Sequence, residues 1–117
     1  MTARAPKLLL DALDAAQTAR EFLGDLSLDE YLLDRKSRSA VERQLEILGE
    51  AGSRLAKVEP ELAQQIVNLK FAIGLRNRII HGYDGVDHEI VHQTVREDLA
   101  PLIDELTDLL GKLQAGQ

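Results

Sequence analysis

Apolar positions in this chain fall on helical spacings almost from end to end. Residues 9, 12, 13, 16, 19 and 23 recur three and four apart, and Gly24 stands where a C-terminal cap would stop the run. That pattern predicts a first helix over about 7–23. Ser27 and Glu30 form a capping-box pair opening a short turn that reaches Leu33, and Ser39 with Glu42 repeats the device. A second long helix then carries Val41, Leu45, Leu48, Gly52 and Leu55 on one stripe. Gly49 and Gly52 cost its interior about 1 kcal/mol each relative to alanine, so they mark points where another helix backbone approaches closely.

Pro60 suits the first turn of the next helix, whose stripe is Leu62, Ile66, Leu69, Ile73 and Ile80 until Gly82 ends it. On an ideal wheel Arg76 falls inside that stripe, Asn77 and His81 lie to one side, and Arg78 points away to solvent. A buried guanidinium without a partner is costly. Either Glu46 or Glu50 pairs with Arg76, or the stripe opens onto a cleft there. The last helix starts at Asp87 as N-cap and carries Val91, Val95, Leu99, Leu102, Leu106, Leu109 and Leu113. Its phase continues across Pro101, which predicts one kinked helix, and the end from Gly111 to Gln117 is expected to fray.

The fold class is therefore all-α: an antiparallel bundle of four to five helices forming one domain over residues 1–117. Leucine outnumbers valine and isoleucine together, and four aromatics leave little to favour strands or base-stacking platforms. No cysteine is present, so disulfides and cysteine-based zinc sites are excluded. Leu8, Leu9 and Leu10 are too short a run for a signal-peptide core, and no segment is apolar enough to span a bilayer, so a cytoplasmic protein without membrane association is expected.

Charge is unevenly distributed. The formal net charge is −6, yet from Leu62 to Tyr83 there is no Asp or Glu, while Lys70, Arg76 and Arg78 give +3. A confined phosphate contact is expected, with Lys70 and Arg78 as candidate RNA contacts, and no broad DNA-coating surface. Within that stretch, residues 76–83 read Arg76-Asn-Arg-Ile-Ile-His81-Gly-Tyr83. RNA can be cut without a metal when a base takes the 2′-hydroxyl proton, a cation holds the charge on phosphorus and an acid protonates the leaving 5′-oxygen. Arg76 supplies a planar fork for phosphate and His81 a proton-transfer group, with Asn77 as polar companion. A two-fold dimer pairing these helices would bring two copies of each into one cleft and separate acid from base. The bland alternative makes Arg76 an ion-pair member, His81 a helix cap, and Tyr83 a packing residue. Arg35, Lys36 and Arg38 read as a solvated helix start, with an extension of the RNA path as the alternative.

The string around Arg76 and His81, with Val86-Asp87 after it and Val41-Glu-Arg43 and Gly49-Glu-Ala51 before it, resembles the HEPN superfamily and within it the HepT-like toxins. The resemblance covers roughly Lys7 to Leu110. It implies a helical homodimer acting as a metal-independent endoribonuclease toxin, without cofactor, neutralised by an MNT-type nucleotidyltransferase antitoxin that adenylylates the motif tyrosine. On that basis Arg76 and His81 match the catalytic pair, Asn77 its companion and Tyr83 the modified hydroxyl. Many relatives carry tryptophan where this chain has Phe71 and His92. A non-catalytic dimeric module binding a nucleotidyltransferase or nucleotide is the alternative from another class.

A second motif competes. His88-Glu89-Ile-Val-His92 fits the His-Glu-x-x-His pattern of zinc hydrolases, in which two histidines one turn apart bind the metal. No third histidine follows, so Asp104, Glu105 or Asp108 would have to complete the set, and no strand is expected to align a peptide substrate. The pair is therefore read as flanking the cleft or simply solvated, with no metal at the site, and a zinc-dependent hydrolase through His88, Glu89 and His92 is the remote alternative.

Overall fold

Alanine governs how the long helices meet. Helix α1 (Arg4–Leu23) buries Ala5, Ala12, Ala15, Ala16 and Ala19 together with Leu9 and Leu23, and these short alanine side chains let it lie close along α3 (Arg35–Val58). Against them α3 turns Val41, Leu45, Leu48 and Leu55. In the computed structural model, which describes residues 4–82 and 85–116, this pair forms the centre of a helical bundle. Among the described residues there is no strand, as expected. No helix is long and apolar enough to cross a membrane.

A short helix joins the two long ones. α2 (Leu28–Leu33) begins with the expected capping box: Glu30 N–H donates to Ser27 Oγ at 3.1 Å and Ser27 N–H donates to Glu30 Oε1 at 3.0 Å. Gly24 closes α1 at φ 54°, a left-handed conformation that suits glycine. The second predicted capping box does not form. α3 starts four residues earlier than Ser39, because Asp34 offers a carboxylate that accepts from Ser37 N–H at 3.0 Å, and Ser39 lies inside the helix.

The stretch from Pro60 also departs from expectation. Instead of one helix, α4 (Pro60–Gln64) ends in a turn, and α5 (Leu69–Ile80) starts anew. Ile66 N–H donates to Ala63 O and Leu69 N–H to Ile66 O, three-residue bonds that break the α ladder. The wheel drawn from Leu62 therefore loses phase. α5 buries Leu69, Ala72, Leu75 and Ile79, Ile73 is half-buried, and Ile80 is 41% exposed.

The last stretch is one continuous helical run, as expected, and it contains a π turn just before Pro101. α6 (His88–Gln93) has Asp87 as its N-cap, accepting from Glu89 and Ile90 N–H at 3.1 Å each. A π turn spans Thr94–Asp98 before α7 (Leu99–Ala115). Pro101 has no N–H to offer the carbonyl four residues back and its ring crowds that carbonyl, so the turn just before it opens to a five-residue bond from Leu99 N–H to Thr94 O. α7 is helical to Ala115.

α7 packs on α1 and α5 on α3, leaving α5 joined only sparsely to the α6–α7 rod. One tether is polar. Glu105 of α7 accepts from Val67 N–H at 2.6 Å, Asn68 N–H at 3.2 Å and Asn68 Nδ2 at 2.6 Å, so a carboxylate 37 residues away satisfies donors at the start of α5. Glu105→Ala strands these donors and should cost about 1–3 kcal/mol. A lowered denaturation midpoint measures it; an unchanged midpoint would remove Glu105 as an anchor of α5.

Candidate active site

Arg76 lies where α5 crosses α3 at Gly49. A Cβ on Gly49 would fall inside van der Waals distance of Arg76 Cβ and 2.9 Å from its Cγ, and one on Gly52 would fall 2.8 Å from Leu69 Cδ1. Both glycines of α3 are thus explained by the close approach of α5. The guanidinium is paired: Arg76 Nη2 lies 2.8 Å from Glu50 Oε2. Glu50 offers its other oxygen to Arg54 Nε at 3.0 Å, whereas Glu46 is engaged by Arg43 at 3.1 Å. Of the two candidate partners, Glu50 is the one that pairs. The expected cleft is there as well, a shallow depression of about 310 Å³ lined by Arg43, Glu46, Ile47, Glu50, Arg76 and Ile80. Arg76 Nε is buried with no hydrogen-bond partner among the described residues, and Nη1 makes only a long bond to Asn77 Oδ1 at 3.4 Å. Its hydrogen-bonding capacity is therefore not exhausted.

His81 is the C-cap of α5. Its N–H donates to Asn77 O at 3.0 Å, holding it in helical register, and its ring is exposed. Gly82 follows because a Cβ there would sit 2.7 Å from the Arg78 carbonyl, which only glycine tolerates in so tight an exit. Asn77 is exposed next to Arg76. Lys70 and Arg78 are exposed too, but they line a different depression with Phe71 and Gly74, apart from the one holding Arg76. Tyr83 lies outside the described residues.

The histidines of the competing motif are occupied elsewhere. His92 Nε2 lies 2.9 Å from Leu26 O, and His88 Nδ1 is 3.8 Å from Glu42 Oε2. Their rings flank buried Tyr31, with centroids 5.6 Å and 6.5 Å away. Burial pushes the Tyr31 hydroxyl up, with Glu42 adding to the effect and Arg38 opposing it. Burial likewise raises the Glu42 carboxyl, while His88 and Arg38 pull it down. Glu105, a candidate third ligand, is committed to Val67 and Asn68. Among the described residues, no three metal-ligating side chains gather. These contacts describe a packing cluster that seats α2 against α6.

Sequence reasoning did not find Glu105 as an anchor, since its partners are remote and no local pattern marks it. It narrowed the partner of Arg76 to Glu46 or Glu50, because a guanidinium on an apolar stripe demands a carboxylate nearby, and the structure selects Glu50.

With the arginine, the capping histidine and the tight glycine exit in place, comparison with known proteins decides the family. The model of the family described as "HepT-like: Ribonuclease HepT-like" matches residues 12–109. The chain belongs to the HepT-like ribonuclease family. A Thermococcus cleftensis protein provisionally named ribonuclease HepT is 34% identical over 94 residues, covering 80% of this chain and 84% of its own length. A Methanocaldococcus jannaschii protein provisionally named an RNase is 35% identical over 100 residues, covering 84% and 89%. A second from the same organism is 31% identical over 106 residues, covering 91% and 87%. No solved structure matches the chain. This HepT-like chain is thus a ribonuclease, and RNA is its substrate class.

The crossing at Gly49 is the site's most exposed point of failure. Gly49→Ala should destabilise the fold by about 1–3 kcal/mol, since a backbone-fixed methyl group cannot move away from Arg76. RNA cleavage should fall with it. Full stability with full activity would show that the two helices do not meet this closely.

Proposed function

We propose that this HepT-like ribonuclease is a metal-independent endoribonuclease in which Arg76 and His81 are catalytic and a second copy of the chain completes the site. The observation that carries this reading is the pairing of Arg76 with Glu50 over Gly49, at the edge of an open depression, on the same short helix that His81 caps. Glu50 orients the guanidinium but leaves donors unspent, as a phosphate fork requires.

The step balances within such a site. An imidazole takes the proton of the 2′-hydroxyl as its oxygen bonds to phosphorus, and Arg76 stabilises the charge on the non-bridging oxygens. The bond from phosphorus to the 5′-oxygen breaks, and a protonated imidazole supplies the proton that the departing oxygen needs. The products are a 2′,3′-cyclic phosphate and a 5′-hydroxyl. One imidazole starts neutral and the other protonated, so two copies of His81 meet the requirement. Asn77, adjoining Arg76, orients one of the transferred groups. The depression at Arg76 is bordered by Ile47 and by Ile80, which is 41% exposed, and a second copy seated there covers both.

In the cell we assign the dimer to a toxin–antitoxin pair in the cytoplasm. Its partner is an MNT-type nucleotidyltransferase that attaches adenylate to the Tyr83 hydroxyl, two residues from His81. The resemblance of the motif supports this assignment, and a bulky anion so near His81 would block RNA entry and repel phosphate. The single domain of residues 1–117 serves all these roles.

His81→Ala and Arg76→Ala should each lower the rate of cleavage of a labelled RNA by about 100-fold or more, with folding and dimerisation retained. Cleavage by either variant at the parental rate would remove that residue from the chemistry.

A further inference from the structure

Gly74 in the middle of α5 has no packing reason. Gly49 and Gly52 are bare because another helix touches them, but a Cβ on Gly74 would meet nothing within 4 Å. Glycine in a helix interior is unfavourable relative to alanine, so its place here points to something that approaches the backbone from outside. The position lies in a groove of about 500 Å³ between α5 and the α6 end of the last helical run, lined by Lys70, Phe71, Gly74, Arg78, Ile90 and Thr94 with neighbouring apolar groups. Among the described residues no carboxylate lines it. Lys70, Gly74, Arg78 and His81 are spaced four, four and three apart, so one face of α5 leads from the groove to His81. Along the axis Lys70 and Arg78 stand about 12 Å apart.

An apolar floor, cations at both ends and no acid is the composition that holds a base between two phosphates. A second copy suits the groove poorly, because a two-fold axis there would oppose like charges with nothing in the groove to neutralise them. We infer that this groove holds the RNA strand beside the scissile phosphate, in single-stranded form. A base lies on Phe71 and Ile90 against the bare backbone of Gly74, while Lys70 and Arg78 bind phosphates on either side. The inference deepens the ribonuclease reading and rests on it for the direction of the strand toward His81.

Binding of a fluorescent 2′-O-methylated oligoribonucleotide, which lacks the attacking hydroxyl, tests the groove separately from the chemistry. The full chain should bind the single strand more tightly than the duplex of the same sequence. Lys70→Ala with Arg78→Ala should weaken binding about tenfold and reduce the slope of log affinity against log salt by about 1.4, the value for two phosphate contacts on a single strand. Gly74→Leu should weaken binding similarly, whereas Gly74→Ala should leave it intact. Phe71→Leu, which keeps the apolar filling and removes the stacking face, should lower affinity severalfold. Unchanged affinity and salt slope in the double variant would overturn the inference, as would equal binding of duplex. Dissociation of the dimer by Gly74→Leu in sedimentation would also overturn it, by giving the groove to a second copy. His81→Ala that still cleaves RNA would instead refute the catalytic assignment and leave these binding results standing.

Discussion

Everything at the site depends on how closely α5 lies against α3. Two glycines on α3 remove the side chains that would hold the helices apart, and Arg76 fills the space above one of them. In that position its guanidinium meets Glu50 of the same α3 turn. A long flexible cation is thereby converted into an oriented group, because its aliphatic stem is pressed on backbone and its end is held by a carboxylate. The same crossing sets the direction of α5, and so where its C-terminal residue, His81, emerges. Glu105 of α7 secures the start of α5, so a helix of three turns is fixed there and again at its crossing with α3.

The sequence made much of this visible, and the reasons are local. Capping residues such as Ser27, Glu30 and Asp87 act through neighbours a few positions away, and their bonds form as their spacing implies. The meaning of Gly49 and Gly52 was legible because glycine in a helix interior is unfavourable and needs a reason. Arg76 demanded a partner for the same kind of reason, and Glu50 supplies it. What failed was long-range phase. The turn between α4 and α5 breaks the stripe drawn from Leu62, and Ile80, although on the same face of α5 as buried Leu69, is 41% exposed at the helix end, where it borders the depression at Arg76. Asp34 pre-empted Ser39 as cap, and Pro101 acts on the turn before it by widening the helix to a π turn. Glu105 stayed hidden because a tertiary cap leaves no trace in neighbouring residues.

The two motifs of the chain show why context outweighs rarity. His88 and His92 have metal-ligand spacing, yet the fold turns them onto Tyr31, Leu26 and Glu42. They hold α2 to α6. The commoner pattern of arginine and histidine five apart proves the informative one, because it sits on a glycine-seated helix crossing and in a stretch without acids. Its chain is a HepT-like ribonuclease, and the proposed chemistry needs two imidazoles in different protonation states.

That requirement gives the most direct test. Wild-type and His81→Ala chains carrying different affinity tags are co-expressed, and dimers with one of each are purified and assayed on labelled RNA. A site shared across the two-fold axis predicts that the mixed dimer is nearly as inactive as the doubly substituted one. If the mixed dimer keeps about half the wild-type rate, as two independent sites would, then each chain cuts RNA alone and the shared cleft is wrong.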